Sequence, residues 1–316
     1  MDISVVICTF NNSASLRATL RSLAAVQVPD GLSVELCLID NNSPDDTRLI
    51  YEAEAASLPF ASRYFFEATQ GLSHARNRGL REAVGEFVVY TDDDVLVSPD
   101  WLQCYSQSLL ALGADAAFGR IVPQWRGPEP WFFQPELRAA YALLDYGPNP
   151  WFVSQDWQEF FGANFAVRRS LLTGLGGFDP RLGRTKGAFF VGEERQVFLG
   201  LRKLGARIHY DPANAVQHVI ADSRKNTTFL RRYFRDIASS HVCADTLEPR
   251  RWIGMMPAYR WRELASFVVQ LPVSALWALL TGNRRRLLFI ELRIRTLVRM
   301  LALFRALPAT SRIAHG

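Results

Sequence analysis

The stretch FVVYTDDD, residues 87–94, places three consecutive aspartates directly after a short apolar run. Valine, phenylalanine and tyrosine are typical of a buried strand, so the run predicts a strand over Phe87–Tyr90. Three adjacent carboxylates repel one another unless a cation neutralises them. Asp92 and Asp94 offer the hard oxygen ligands that Mg²⁺ or Mn²⁺ prefers, and such an ion could also hold a diphosphate. The alternative, a solvated acidic turn, fits less well with a position at the end of an apolar strand.

Strands and helices alternate on the N-terminal side of this stretch. Apolar runs at Ile3–Cys8, Val34–Ile39 and Tyr64–Phe66 predict three further strands with helical patterns between them. This alternation predicts an α/β fold with a Rossmann-like, mostly parallel sheet flanked by helices. Such sheets bind ligands beyond the carboxyl ends of their strands, where Thr9, Asp40 and the aspartate triplet fall.

A second acidic group, a pair of glutamates, lies about 100 residues further along the chain. Glu193 and Glu194 open a helix that is predicted over Val191–Leu204. Two strands are predicted after this helix, near Ile208–Tyr210 and Val216–Ile220. The pair by itself could be an ordinary N-terminal helix charge, because the helix dipole stabilises carboxylates there.

Residues 121–161 differ in character from the flanking segments. They are rich in tryptophan, phenylalanine and proline, and they predict a long excursion with little regular structure. Its aromatic rings could extend the core or form a platform for a ligand, and the sequence leaves both open.

Composition and charge describe a globular chain with a basic C-terminal region. The 316 residues are 49% hydrophobic and 21% charged, which excludes a disordered or collagen-like protein. Residues 250–316 hold 12 Arg, no Lys and two acids, a net charge of +10, so the first 249 residues carry −5. Four widely spaced cysteines without metal-ligand spacing, and a first segment that resembles a strand instead of a secretion signal, favour the cytosol.

The basic region contains two helical patterns. Over Arg284–Arg305, apolar residues recur at three- and four-residue steps beside arginines, which predicts a basic amphipathic helix. Such a helix could lie in a bilayer interface, or it could pack on the body and show its arginines to water. The apolar stretch Phe267–Leu280 is interrupted by Gln270 and Pro272 and is expected to be too short for a membrane span of ~20 residues. We expect this region to bind an anionic membrane surface and not nucleic acid, because its wide apolar face suits lipid.

Several motifs resemble those of family 2 inverting glycosyltransferases, which have the GT-A fold. The nucleotide-sugar half of that family is similar to VVICTFNN (5–12), LIDNNSPDDT (38–47), GLSHARNRGL (71–80) and TDDDVLVSPDWL (91–102). The acceptor half is similar to FGANFAVRRSLL (161–172), GGFDPRLG (176–183) and GEERQVFLGLRKLGARIHYDPANAVQHVI (192–220). The resemblance implies a catalytic domain over residues 1–225, with a nucleotide-sugar half up to about 120 and an acceptor half over 121–225. A helical, basic region would follow over 226–316.

The resemblance also implies roles for individual residues. The positions expected to bind the donor are Thr9, Asp40, Arg76, Asn77, Asp92 and Asp93. The expected ligands of a divalent cation, Mn²⁺ or Mg²⁺, are Asp94, Asp92 and His218. Glu194 occupies the place of the family's general base, and its neighbour Glu193 is the alternative because this chain has Glu-Glu where many members have Glu-Asp.

These residues predict a metal-dependent inverting glycosyltransferase. It would move a sugar from a nucleotide-diphosphate sugar to a hydroxyl of a saccharide or lipid-linked acceptor in cell-envelope polysaccharide or glycolipid synthesis. We expect it in the cytoplasm, peripheral on the inner face of the cell membrane. A sugar nucleotidyltransferase and a dinucleotide-binding dehydrogenase are both disfavoured, because Thr9–Ser13 contains no glycine after the first strand. A non-catalytic carbohydrate-binding module docked on a membrane is the remaining alternative.

Overall fold

A computed structural model of the chain describes residues 1–183, 192–247 and 251–308. The described residues form two compact units. The first contains residues 1–126, 141–183 and 193–220, and the second contains 127–140 and the described residues from 221 onward. Part of the aromatic segment, 127–140, therefore belongs with the C-terminal helices and not with the sheet.

The first unit is built on a nine-stranded mixed sheet. Its strands are β1 (Ile3–Thr9), β2 (Val34–Asp40), β3 (Ala61–Phe66), β4 (Phe87–Asp92), β5 (Val95–Val97), β6 (Ala116–Trp125), β7 (Trp151–Phe152), β8 (Asn164–Arg168) and β9 (Ile208–Ile220). Its α-helices are α1 (Ser13–Ala24), α2 (Thr47–Glu54), α3 (Leu72–Glu82), α4 (Trp101–Ser106), α5 (Arg169–Gly174) and α6 (Glu193–Lys203). The strand order is β3-β2-β1-β4-β8-β6-β9-β5, and β7 pairs with β9.

The N-terminal half of this sheet is parallel, as the sequence predicts. Strand β1 lies between β2 and β4, and β2 pairs with β3. Every residue of β2 is buried, which is the pattern of a parallel strand with both faces covered. The register sets Thr9 beside Asp40 and Cys8 beside Asp92. The polar ends of these three strands therefore meet at one edge of the sheet, which confirms the prediction.

The C-terminal half of the sheet is mixed. Strand β8 lies antiparallel between β4 and β6, and β5 is antiparallel to β9. The sequence predicts two strands over residues 208–220, whereas the structure has the single strand β9, whose pairing with β6 is interrupted between Asp211 and Val216. Its register against β6 shifts at Gly119, where an added Cβ would lie only 1.7 Å from the carbonyl oxygen of Asn214. Helix α6 matches the predicted helix, although Val191 lies outside the described residues.

The aromatic segment contributes mainly to the core of the first unit. The ring of Trp151 lies 4.8 Å from that of Tyr210, and the Tyr146 ring lies 5.7 Å from the same tyrosine. Phe160 stacks on Phe165 of β8 at 4.4 Å. Trp157 differs, because 64% of its surface is exposed.

The second unit contains three long helices: α7 (Thr227–Leu247), α8 (Ala258–Leu280) and α9 (Arg284–Ala306), with a hairpin of β10 (Trp252–Ile253) and β11 (Met256–Pro257). Helix α9 packs against both α7 and α8. Met300 and Phe304 of α9 join Val242 of α7 and Met256 in a buried cluster. Helix α9 therefore packs within the second unit, and a position in a bilayer interface stays a prediction.

Helix α8 is longer than the sequence predicted. It begins at Ala258, so its 23 residues meet the length and hydropathy of a membrane-crossing helix, with a mean hydropathy of 1.6 over the most apolar window. The expectation that this stretch is too short to span a membrane is therefore wrong on length. The apolar stretch begins only after its first two turns, because these turns contain the charged residues Arg260, Arg262 and Glu263.

Candidate active site

The middle aspartate of the triplet ties the end of β4 to the end of β1. Its carboxylate accepts hydrogen bonds from Oγ1 of Thr9 at 2.6 Å and from Nδ2 of Asn12 at 2.8 Å. Oγ1 of Thr19 donates to the main-chain oxygen of Asp93 at 2.9 Å. Burial, reinforced by the charge of Asp94, raises the pKa of Asp93 to about 8. Asp93 and Thr9 thus hold each other in place, and their predicted contact with a donor stays a prediction.

The last aspartate of the triplet faces a histidine from β9. Oδ1 of Asp94 lies 3.2 Å from Nε2 of His218, and Nδ1 of the same ring lies 2.7 Å from the main-chain oxygen of Tyr141. A carbonyl oxygen only accepts hydrogen bonds, so Nδ1 carries a proton and Nε2 is the ring nitrogen that faces Asp94. Metal-binding histidines are commonly oriented in this way.

This pair fits a divalent cation as part of a larger ligand set. A carboxylate oxygen and an imidazole nitrogen facing each other attract a proton or a metal ion. Among residues 1–183, 192–247 and 251–308, no three His, Cys, Asp or Glu residues are grouped so that they could hold a metal ion. Asp94 and His218 would therefore bind a cation together with oxygens from a diphosphate or water, as Mg²⁺ sites commonly do.

Arg76 of α3 connects the two acidic groups that lie about 100 residues apart in the sequence. Its Nη1 lies 2.9 Å from Oε1 of Glu193 and 3.0 Å from Oε1 of Glu194. Its Nη2 lies 3.8 Å from Oδ1 of Asp92. The Arg76 side chain is only 2% exposed. Burial would lower the pKa of Arg76, but the negative charges around it, those of Glu194, Glu193 and Asp92 above all, raise it above its ordinary value. The aspartate triplet and the glutamate pair therefore both contact the same buried guanidinium.

The two glutamates of α6 are not equivalent. The side chain of Glu193 is 3% exposed, and burial together with the charge of Glu194 raises its pKa to about 8. The side chain of Glu194 is 19% exposed. Burial alone would raise the pKa of Glu194, but the charge of Arg76 together with hydrogen bonds from the main-chain nitrogen of Glu194, from Glu193 and from Arg76 lowers it. Glu193 therefore retains its proton near neutral pH, whereas Glu194 is ionised and reaches the surface of the site.

A glycine makes room for this arrangement. A Cβ added at Gly162 would lie 2.0 Å from Nη2 of Arg76 and 2.5 Å from Oε1 of Glu194. Any side chain at this position would displace the guanidinium or the carboxylate. The FGANF motif does not by itself indicate a role for Gly162, since only the packing of α3 against the loop before β8 reveals the close approach.

Asp40 and Asn77 already have partners in the protein. The Asp40 carboxylate accepts from the hydroxyl of Tyr64 at 2.5 Å and from the main-chain nitrogen of Ser43 at 2.9 Å. The amide of Asn77 donates to the main-chain oxygen of Phe178 at 2.7 Å and accepts from its nitrogen at 2.8 Å. Asn77 thus holds the main chain at Phe178 against α3. The predicted contacts of Asp40 and Asn77 with a nucleotide stay predictions.

Comparison with known sequences places the chain in a family. The profile of glycosyl transferase family 2 matches residues 4–173, which is more than half of the chain. The protein belongs to this family, and it is a glycosyltransferase. The resemblance found in the sequence motifs is thereby confirmed, and the reading as a non-catalytic module is set aside.

Named relatives and solved structures agree with this assignment. The succinoglycan biosynthesis protein ExoM of Rhizobium meliloti is 26% identical over 238 residues, 74% of this chain and 72% of that protein. A validoxylamine A glucosyltransferase of Streptomyces hygroscopicus subsp. limoneus is 30% identical over 177 residues, which cover 53% of this chain and 38% of that one. The mannosyltransferase PcManGT of Pyrobaculum calidifontis, solved with GDP-Man and Mn²⁺, aligns with a TM-score of 0.63 at 21% identity, covering 95% of this chain and 86% of that one. The predicted GT-A fold is confirmed.

Proposed function

We propose that this glycosyltransferase moves a sugar from a nucleotide-diphosphate donor to an acceptor hydroxyl in a metal-dependent reaction that inverts the anomeric centre. The observation that carries the proposal is the position of Arg76 between Asp92 and the glutamate pair. An inverting transfer needs a diphosphate-binding group on one side of the anomeric carbon and a base on the other. Two acidic groups beside a single guanidinium provide both within one site.

The donor side of the proposed site is the edge formed by β1, β2 and β4. Asp94, His218 and Asp92 would hold the cation, which when bound offsets the charge of the departing diphosphate. Thr9 and Asn12 keep the triplet in position through Asp93. The similar PcManGT was solved with GDP-Man and Mn²⁺, which supports a nucleotide sugar and a divalent cation here.

The acceptor side is formed by Glu194. Its ionised carboxylate would accept the proton of the attacking hydroxyl, the task of a general base. Arg76 orients this carboxylate from 3.0 Å and keeps it charged until the acceptor arrives. Glu193 supports the arrangement by retaining its own proton, since a second buried negative charge would repel the first.

The acceptor is proposed to be a saccharide or a lipid-linked saccharide of the cell envelope. The name of the relative ExoM refers to synthesis of succinoglycan, a polysaccharide. The C-terminal region carries a net charge of +10, which suits a location on the anionic inner face of the cytoplasmic membrane.

A donor screen tests the proposal. Purified protein is incubated with individual nucleotide sugars and either Mn²⁺ or Mg²⁺, and donor hydrolysis and thermal stabilisation are measured. We expect one donor to be turned over only with a divalent cation, and D94N to abolish turnover. If E194Q and D94N both transfer the sugar at the wild-type rate, the proposed roles are wrong.

A further inference from the structure

The outer face of α8 is an uncovered apolar surface. Between Leu264 and Leu280 the sequence contains no charged residue. Seven large apolar side chains of this stretch are more than half exposed: Val268, Val269, Val273, Leu276, Trp277, Leu279 and Leu280. At 100° per residue these positions spread over about half of the helix circumference, a continuous face and not a set of scattered residues. Continuous exposed apolar surfaces of this kind mark interaction sites.

The opposite face of α8 is the one that packs. Phe267 and Ala278 are buried, and Leu264 lies against the cluster shared with Met300 and Phe304 of α9. Helix α8 therefore already has a partner inside the second unit. Helix α8 has more apolar side chains than this contact buries, and the remaining ones face outward.

Residues at the two ends of this face suit a bilayer interface. Trp261 and Arg262 lie at the N-terminal end, and both are exposed. Trp277 lies near the C-terminal end, and Arg284 and Arg285 follow after a three-residue connection. Tryptophan and arginine are the side chains that bracket apolar segments at the level of lipid headgroups. The positive charge of the arginines is complementary to anionic lipids.

We propose that α8 lies in the plane of an anionic membrane, with its Val268–Leu280 face in the headgroup and upper acyl region. The occupant of this surface is thus a lipid bilayer, and the contact involves one face of the helix, as in interfacial amphipathic helices. This inference rests on the membrane location in the proposed function and specifies the surface that achieves it.

A membrane-crossing α8 is disfavoured by its packing on α9. The two helices are antiparallel, and the guanidinium of Arg293 lies 4.7 Å from the centre of the Phe267 ring. Arg295 and Arg299 follow on the exposed surface of α9. If α8 crossed the bilayer with α9 attached, these arginines would enter the hydrocarbon core, at about 2.5 kcal/mol or more for each one. Docking of the outer face alone leaves them in water.

The arginine-rich groove of this unit faces a different direction. Its lining includes Arg231, Arg232 and Arg235 of α7 and Arg295 and Arg299 of α9. The cavity that adjoins α8 is lined instead by Phe234 and Ile237 of α7 and by Thr296 and Met300 of α9. These two sets lie on opposite sides of both helices, so a flat bilayer that contacts α8 does not also fill the arginine groove.

Vesicle flotation with matched variants tests the proposal. The full-length protein is mixed with phosphatidylglycerol/phosphatidylcholine vesicles, and the floated fraction is compared for wild type, V269Q/V273Q/L276Q and V298Q. Val298 is a suitable control because it is an exposed valine (63%) in the arginine groove. We expect wild type and V298Q to float equally and the triple variant to lose at least about tenfold in vesicle partitioning, because three apolar side chains leave the interface. Alkaline carbonate should release the wild type from the vesicles.

Other outcomes would overturn the proposal. Equal flotation of the triple variant excludes the α8 face, and resistance to carbonate indicates a spanning helix. If the wild type fails to float and forms a dimer that the triple variant lacks, the face is an interface between two copies of the chain. Donor hydrolysis without vesicles is measured in parallel. Unchanged hydrolysis in all three proteins separates a failure of membrane docking from a failure of the proposed function.

Discussion

Nη1 of Arg76 lies 3.0 Å from Oε1 of Glu194, and this contact joins α3 to the first turn of α6. The contact is almost fully buried on the arginine side. Because the same guanidinium also approaches Asp92, the distance between the acidic groups depends on this one side chain.

Glutamine substitutions should separate the two glutamates. E194Q removes the proposed base, so we expect kcat to fall by about 10²–10⁴, the usual contribution of general-base catalysis. E193Q replaces a carboxyl that is already protonated by a neutral group of similar shape, so its kcat should fall less than about tenfold. Steady-state transfer at pH 7 measures both. Equal losses in the two variants would contradict the distinct roles assigned from burial.

Removing the shared guanidinium should destabilise the protein. R76Q removes a buried positive charge that contacts Glu193, Glu194 and Asp92, and breaking a buried pair in this way costs about 3–5 kcal/mol. Urea denaturation measures this free energy of unfolding. R81Q on the same helix is the control, since Arg81 is largely exposed and its 3.7 Å pair with Glu67 should contribute less than about 1 kcal/mol. A similar small loss in R76Q would show that the buried contacts do not stabilise the fold.

The parallel half of the sheet could be predicted because its strands are continuous apolar runs that end in polar residues. The mixed half could not, since Asn164–Arg168 is short and its partners are distant in sequence. The two strands predicted over residues 208–220 are joined in β9, which shifts register against β6 between Asp211 and Val216, where Gly119 makes room for Asn214. The sequence predicts too short an apolar stretch for α8, because Arg260, Arg262 and Glu263 interrupt the apolar pattern in its first two turns.

The candidate site shows the same division. Aspartates after a strand and glutamates at the start of a helix can be recognised in the sequence from their residue type and position. The contact of Arg76 with Glu193 and Glu194 depends on how α3 and α6 lie against each other, which spacing along the chain does not specify. The requirement for glycine at 162 follows from that packing and is equally hidden in the sequence.

The stability of the protein should depend on pH through Glu193. Its pKa is raised in the folded state, so its stabilising effect is complete below the ordinary glutamate value near 4.5 and declines as pH rises toward about 8. We expect wild type to lose on the order of 3 kcal/mol relative to E193Q between pH 5 and pH 8. Urea denaturation in EDTA across this range measures the difference. A constant difference would mean that Glu193 titrates normally.

Adding one methyl group at position 162 should disturb the site. The new Cβ of G162A would overlap Nη2 of Arg76, so the guanidinium must move and Glu194 loses its partner. We expect transfer to fall at least about tenfold, in line with the sensitivity of catalysis to displacements near 1 Å. G174A is the control, because no atom lies within 4 Å of a Cβ placed there. Equal activity of the two variants would contradict the close packing.

His218 should determine how much cation the enzyme needs. H218A removes the nitrogen that faces Asp94, so we expect the Mn²⁺ concentration for half-maximal donor hydrolysis to rise about 10- to 100-fold, the usual effect of weakening a metal site. The Mn²⁺-dependent rise in melting temperature should weaken in parallel, which gives a readout independent of activity. H209N is the control, because His209 is also a buried histidine of β9 but lies 3.0 Å from Ser108. H209N should lower stability without changing the Mn²⁺ requirement, whereas an unchanged requirement in H218A would remove His218 from the proposed cation site.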